Sequence, residues 1–187
     1  MTPDLQYAVT DMQGPAATSL VPVTESREAT APRQRWDDST WTALKQLRSS
    51  LLADGKPVQI AVVSCFPQEG VTTLAKGLTD VLTEACGQVR LVDASATCTG
   101  SSAHLREAVS AARDARIPVI VDAGSLRDGH ILDLTGLIEG AVLVVEAGRC
   151  RPDDIRSAVK TLQRAGIKTL GSVVNRSQPV LPSFIGD

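Results

Sequence analysis

A chain of 187 residues, 43% hydrophobic and 21% charged, is long enough for one folded domain with a sizeable core. Its formal net charge of −2 gives no electrostatic reason to bind DNA, RNA or anionic lipid, so no nucleic-acid partner is expected. No run approaches the roughly 18 consecutive apolar residues of a membrane helix, and Met1 to Gln6 lack the basic-then-apolar order of a signal peptide; a cytoplasmic location is expected.

Residues 1–38 carry Pro3, Pro15, Pro22 and Pro32 with no sustained apolar period, and read as a disordered tail. From Ser39 the pattern changes. Trp41, Leu44, Leu47, Leu51 and Leu52 recur at helical spacing around Lys45 and Arg48, up to a stop at Asp54 and Gly55. Val58–Val63 is a nearly unbroken apolar run, as expected of a strand buried on both faces of a parallel sheet. A glycine turn then leads into a helix from Thr72, with Leu74, Leu78, Val81, Leu82 and Ala85 on one face and Gly87 as its stop. Lys76 falls off that face and is expected to point to solvent.

Val89–Asp93 reads as the second strand, followed by a small-residue loop through Gly100. Ser101–Arg116 supplies a crossover helix with Leu105, Ala108, Val109 and Ala112 inward, and Ile117–Asp122 is the third strand. Both strands close on a carboxylate. A polar turn (Ala123–Gly129) and a short apolar segment lead to strand four, Ala141–Val145. Arg151 to Asp154 open a helix suited to Pro152 at its first position and acids at its positive end, with Ile155, Ala158, Val159 and Leu162 buried and Gly166 after it. Thr169–Val174 is strand five, then Asn175 and a tail over 177–187. The alternation predicts an α/β, doubly wound, mostly parallel five-stranded sheet of the P-loop NTPase-like kind, in one domain over 39–176.

The chemistry concentrates where the first strand meets its helix. A loop of the form G-x-x-x-x-G-K-[ST] cradles phosphates with backbone N–H groups, reaches them with a Lys and holds Mg²⁺ with a hydroxyl. Here Val71 stands at the Lys position, flanked by Glu69, Gly70, Thr72 and Thr73. Asp93 and Asp122 end strands at the edge where an α/β sheet binds its ligand, although a strand-end Asp also caps turns and Thr also caps helices. Cys65, Cys86, Cys98 and Cys150 show no metal-type spacing and read as reduced thiols; Cys65 and Cys150 both follow strands and can meet at one sheet edge. His104, on a helix, and His130, in a loop, are expected to be solvated.

From Trp41 to Asn175 the order of these features resembles the Walker-type ATPase domain of the bacterial tyrosine autokinases of capsule and exopolysaccharide synthesis, and more distantly the Min-type and chromosome-partitioning ATPases. Leu47–Leu51 is similar to the family's helix motif before the first strand, and Ser64–Thr73 to its loop, normally S-S-x-P-G-E-G-K-S-T. The resemblance implies that Glu69, Gly70, Val71, Thr72, Thr73 and Asn175 line a nucleotide site for Mg-ATP or ADP. It also implies that Thr72, Asp93 and Asp122 hold Mg²⁺, with Asp93 and Asp122 the vestiges of the catalytic pair. The departures are Gln68 for a loop glycine, Val71 for the Lys, Ser95 for a second carboxylate and Thr42 for the Glu of an E-x-x-R-x-x-R assembly pattern whose charges Lys45 and Arg48 keep. The single tyrosine, Tyr7, lies far from the C-terminal tyrosine cluster of such kinases.

The implied function is a non-catalytic regulatory or scaffolding subunit of exopolysaccharide or capsule assembly and export. Its implied partner is a membrane polysaccharide co-polymerase or export protein, reached at the inner membrane, or an active homologous kinase. Self-association through residues 41–52 is a further implication. Two other readings stay open: an autokinase or ATPase with an atypical loop, and a partitioning or localisation module that dimerises with nucleotide.

Overall fold

The computed structural model describes residues 36–52, 59–94 and 102–176. Of the tail expected over 1–38, residues 36–38 are described and belong to the start of the first helix, which Asp37 caps and Asp38 opens; residues 1–35 and 177–187, the stop at Gly55, and Ser95, Cys98 and Tyr7 lie outside the described residues. In chain order the elements are α1 (Asp38–Leu51), β1 (Gln59–Ser64), α2 (Val71–Cys86), β2 (Arg90–Asp93) and α3 (Ser102–Asp114). Then follow β3 (Val119–Ser125), β4 (Gly140–Glu146), α4 (Pro152–Arg164) and β5 (Lys168–Asn175), with a 3₁₀ turn at His130–Leu134 before β4.

All five strands are parallel, in the order β2-β3-β1-β4-β5. β1 is therefore central, and every residue in it is buried, which explains its unbroken apolar run. The period of two along each strand divides its side chains between two cores. Ile60, Val62, Ile120, Val142 and Val144 face one layer with Trp41 and Leu44 of α1 and Ala75, Leu78, Val81 and Leu82 of α2. Ala61, Val63, Val119, Val121, Leu143 and Val145 face the other, with Leu105 and Val109 of α3 and Ala158 and Leu162 of α4. Helices on both faces make the sheet doubly wound, as the sequence pattern predicts.

α1 is anchored by its first residues. The Asp37 carboxylate caps it by accepting from the Ser39 and Thr40 N–H groups at 3.0 and 2.9 Å, and Trp36 Nε1 donates to Asp80 on α2 at 3.0 Å. Leu44 sits where α2 has Gly77; a Cβ there would lie 2.8 Å from Leu44 Cδ1. This close approach is what the mid-helix glycine provides. Arg48 donates to the Val81 carbonyl at 2.9 Å and pairs with Glu84 at 3.1 Å, so this member of the basic pattern is engaged within the chain.

Several boundaries differ from expectation for local reasons. α1 ends at Leu51, before the expected Gly55 stop. β3 runs through Ser125 rather than ending at Asp122, because β1 continues to Ser64 and pairs with Ser125 beyond a register shift. His130, expected in a loop, opens the 3₁₀ turn after Gly129, whose φ of 78° suits glycine. α4 starts as expected: Pro152 takes the first helical position, and Asp154 accepts from the Arg151 N–H at 3.0 Å.

Candidate functional site

The C-terminal ends of β1, β2, β3, β4 and β5 lie along one edge of the sheet, where an open α/β fold binds its ligands. β1 delivers residues 65–70 there, and Gly70 turns the chain into α2 with φ 100°, in the left-handed region. The first N–H groups of α2 have no intrahelical partners and point out of the helix, which leaves the anion-favouring layout of a phosphate loop in place. Gly70 is required twice over: a Cβ there would also lie 2.3 Å from Asn175 Nδ2.

The loop's side chains depart from that layout. Val71 is only 6% exposed and belongs to the apolar layer between α2 and the sheet, with Val62, Ala75, Leu78 and Val144. Gln68, where the resembling loop has glycine, sits at φ 67°, a strained conformation for a residue with a Cβ. Thr72 and Thr73 are exposed at the mouth.

Asp93 and Asp122 face each other directly across the β2–β3 ladder. Asp122 is buried, and its carboxylate takes hydrogen bonds from the Thr72 hydroxyl and, at 3.3 Å, from the Gly124 N–H. Burial pushes the Asp122 carboxyl above the usual carboxylate range and the Asp93 charge adds to this, while the Thr72 bond and the Lys76 charge oppose it. Thr72, Asp93 and Asp122 are thus brought together. Lys76 is exposed as expected, yet it lies near enough to act on Asp122 and so faces this edge.

An oxygen-only trio of one hydroxyl and two carboxylates is the donor chemistry a hard cation such as Mg²⁺ takes. The metal side of a Mg-nucleotide site therefore fits these residues. The phosphate side fits less well, because the position that would bring a cation to the phosphates carries a buried Val71. When bound, a Mg-nucleotide would bring the phosphoryl group and its charge-neutralising cation. Of the chain's own groups, Thr72, Asp93 and Asp122 would hold the metal, and the α2 N-terminus would bind phosphate oxygens.

Asn175, expected near a nucleotide base, donates from Nδ2 to the Glu69 carbonyl at 2.9 Å, while its Oδ1 accepts from Arg176 N–H. It joins the end of β5 to the loop. Arg149 donates to the Pro67 carbonyl at 2.9 Å and shares Glu146 with Arg176, and those guanidinium groups hold the Glu146 carboxyl below its ordinary range. The Arg127 guanidinium lies 4.3 Å from the Phe66 ring centroid. These arginines escaped the sequence reading because nothing local in the chain places them beside residues 66–67.

Glu69, which the resemblance puts in the nucleotide site, turns its carboxylate inward. Its side chain is fully buried, away from the open mouth: Oε2 accepts from the Cys65 and Phe66 N–H groups at 3.0 and 3.1 Å, and the Cys150 thiol donates to Oε1 at 2.8 Å. Cys65 and Cys150, which follow β1 and β4, do meet, as their positions after strands suggested. Burial pushes the Cys65 thiol up, and burial together with the bond to Glu69 takes Cys150 up to about 12.

No family model and no curated protein sequence matches the chain. Solved structures do. The BceF tyrosine kinase domain is 17% identical with a TM-score of 0.58, over 72% of this chain and 76% of that one. The kinase domain of the Escherichia coli tyrosine kinase ETK gives 16% and 0.61, over 81% and 82%. The chimerical protein CapA2B2 gives 15% and 0.61, over 83% and 94%. The five-stranded parallel sheet, its helices on both faces and its strand-to-helix loop are therefore the fold of bacterial tyrosine kinase domains.

Proposed function

We propose that this chain is a non-catalytic, pseudokinase-like regulatory or scaffolding subunit of exopolysaccharide or capsule assembly and export. It would act by docking to a membrane co-polymerase or export protein, or to an active kinase of the same fold. The observation that carries the proposal is Val71, a buried apolar residue at the position where a phosphate loop presents its Lys. A charge-assisted contact to phosphate is worth about 1.5–3 kcal/mol, roughly ten- to hundredfold in affinity. Weak nucleotide binding survives such a loss. Turnover does not, since a cation on the transferring phosphoryl is worth about 10³-fold or more. The test is a sensitive assay of Mg-ATP hydrolysis and autophosphorylation, paired with polymer output in a deletion strain. The proposal expects no turnover and a loss of polymer; normal output without the protein would end it.

The convergence of Thr72, Asp93 and Asp122, with Lys76 close by, favours a second reading: an ATPase or autokinase with an atypical loop. That reading expects slow turnover abolished by Asp122→Asn. Its absence in both wild type and variant decides for the first. The basic residues of α1 offer a route to self-association, although Arg48 is already bonded to α2.

A further inference from the structure

Cys65, Cys150 and the inward-turned carboxylate of Glu69 form a cluster; the nucleotide reading uses Glu69 only through its place in the loop and assigns nothing to the two thiols. One ligand-capable atom from each lies within 4.8 Å of the others. Cys65 is 7% exposed and Glu69 0%, and Cys150 is half-buried. A buried carboxylate is costly unless it is hydrogen-bonded or paired with a cation. Here Oε2 is fixed by two backbone N–H groups, which leaves Oε1 aimed at the thiols. Such an outer hydrogen-bonded oxygen is how metal-ligating carboxylates are oriented.

We propose that Cys65, Cys150 and Glu69 bind a thiophilic divalent cation, Zn²⁺ in the first instance, as a site that joins the loop after β1 to the turn after β4. Two sulfurs and one carboxylate oxygen are a borderline-soft donor set that suits Zn²⁺ and excludes Mg²⁺ or Ca²⁺. Tetrahedral Zn²⁺ with these ligands sets sulfur-to-oxygen separations of about 3.6 Å. The Cys150-to-Glu69 contact of 2.8 Å therefore opens modestly when the metal replaces the thiol proton. Each metal bound displaces the two thiol protons, and the thiolates and carboxylate leave one net negative charge. Cys65 lines a cleft of about 160 Å³ with Phe66, Leu126, Arg127 and Asp154. Of the three ligands only Cys65 lines this cleft, which gives solvent a path to that sulfur and sets Arg127 and Asp154, charges of opposite sign, beside it.

The site binds independently of nucleotide, so its test does not depend on the functional proposal. The 187-residue chain carrying Cys86→Ser and Cys98→Ser retains only the two relevant thiols. Reduced and titrated with Co²⁺ alone, it should take one equivalent, show a thiolate charge-transfer band in the near ultraviolet and release two protons per metal. Zn²⁺ should then displace the Co²⁺. Cys65→Ser and Cys150→Ser should each weaken binding by about 100-fold or more, with Glu69→Gln as a third variant, while circular dichroism confirms a folded chain. No binding, or binding that survives both serine variants, overturns the proposal. A Cys65–Cys150 disulfide in protein isolated without reductant also overturns it, by assigning the pair to a covalent link instead.

Discussion

Restoring Gln68→Gly and Val71→Lys together tests whether the loop is a nucleotide site lacking only its cation. Val71 is 6% exposed, so exchanging it for Lys forfeits most of a buried valine, about 1.5 kcal/mol at the low end, of which the Lys stem recovers part. Gln68 stands at φ 67°, where a Cβ costs roughly 1–2 kcal/mol, and glycine relieves that strain while adding about 0.4–1 kcal/mol of unfolded-chain entropy. The double variant is expected to lose roughly 0.5 kcal/mol without ligand, a drop of about 1–2 °C in Tm. With Mg-ATP the sign reverses. A new charge-assisted contact adds about 1.5–3 kcal/mol of binding, and ligand at about 100 times Kd returns about 2.7 kcal/mol of stability. Calorimetric titration and thermal melts with and without Mg-ATP read both effects, and Gln68→Gly with Val71→Met is the uncharged control. The expected result is binding in the Lys variant at least tenfold tighter than in wild type or control. Wild-type affinity equal to that of the folded Lys variant would refute the reasoning, because the cation would then contribute nothing at this loop.

The raised Asp122 carboxyl gives a pH prediction with a definite sign. Its folded value lies above the ordinary carboxylate value of about 3.9, so the folded state holds the extra proton between the two, and stability falls as pH rises through that window. Asp122→Asn is therefore expected to raise Tm at neutral pH, and melts taken at decreasing pH should show the gap closing near pH 4. Gly77→Ala gains about 1 kcal/mol of helix propensity but forces a methyl to within 2.8 Å of Leu44, and overpacking costs about 1–3 kcal/mol. A net loss is expected with faster hydrogen exchange in α1, and pairing it with Leu44→Ala should cost less than the two changes summed. Asn175→Ala removes the donor to the Glu69 carbonyl and should cost about 1 kcal/mol in a denaturant melt.

The fold was legible because a central parallel strand buries both faces and so writes an unbroken apolar run, as at Ile60 to Val63, with helical stripes such as Leu78, Val81 and Leu82 between strands. Asp93 and Asp122 were legible for a related reason: parallel strands run toward one edge, so Asp93 at the end of β2 falls beside Asp122, although β3 itself continues to Ser125. The strand order was less accessible, since any right-handed crossover fits the same alternation. Contacts set by tertiary packing left no local trace. Arg149 on the Pro67 carbonyl, Arg48 on Val81 and Cys150 on Glu69 join segments far apart in the chain, and neither period nor spacing encodes such partners.

Glu69 shows how little a loop motif says about where a side chain points. The resemblance marks it for a nucleotide site; its backbone lies in the loop before α2, with its carbonyl bonded to Asn175. The carboxylate turns inward to brace the Cys65 and Phe66 N–H groups instead. Arg149 supports the Pro67 carbonyl from the opposite segment. A loop held at residues 65, 66, 67 and 69 by its own chain has its shape set without phosphate. A valine at position 71 therefore leaves the loop without a ligand-facing cation while its scaffold stays in place. That separation is why the proposed docking role does not require a bound nucleotide, and why Val71→Lys is expected to confer binding without rebuilding the loop.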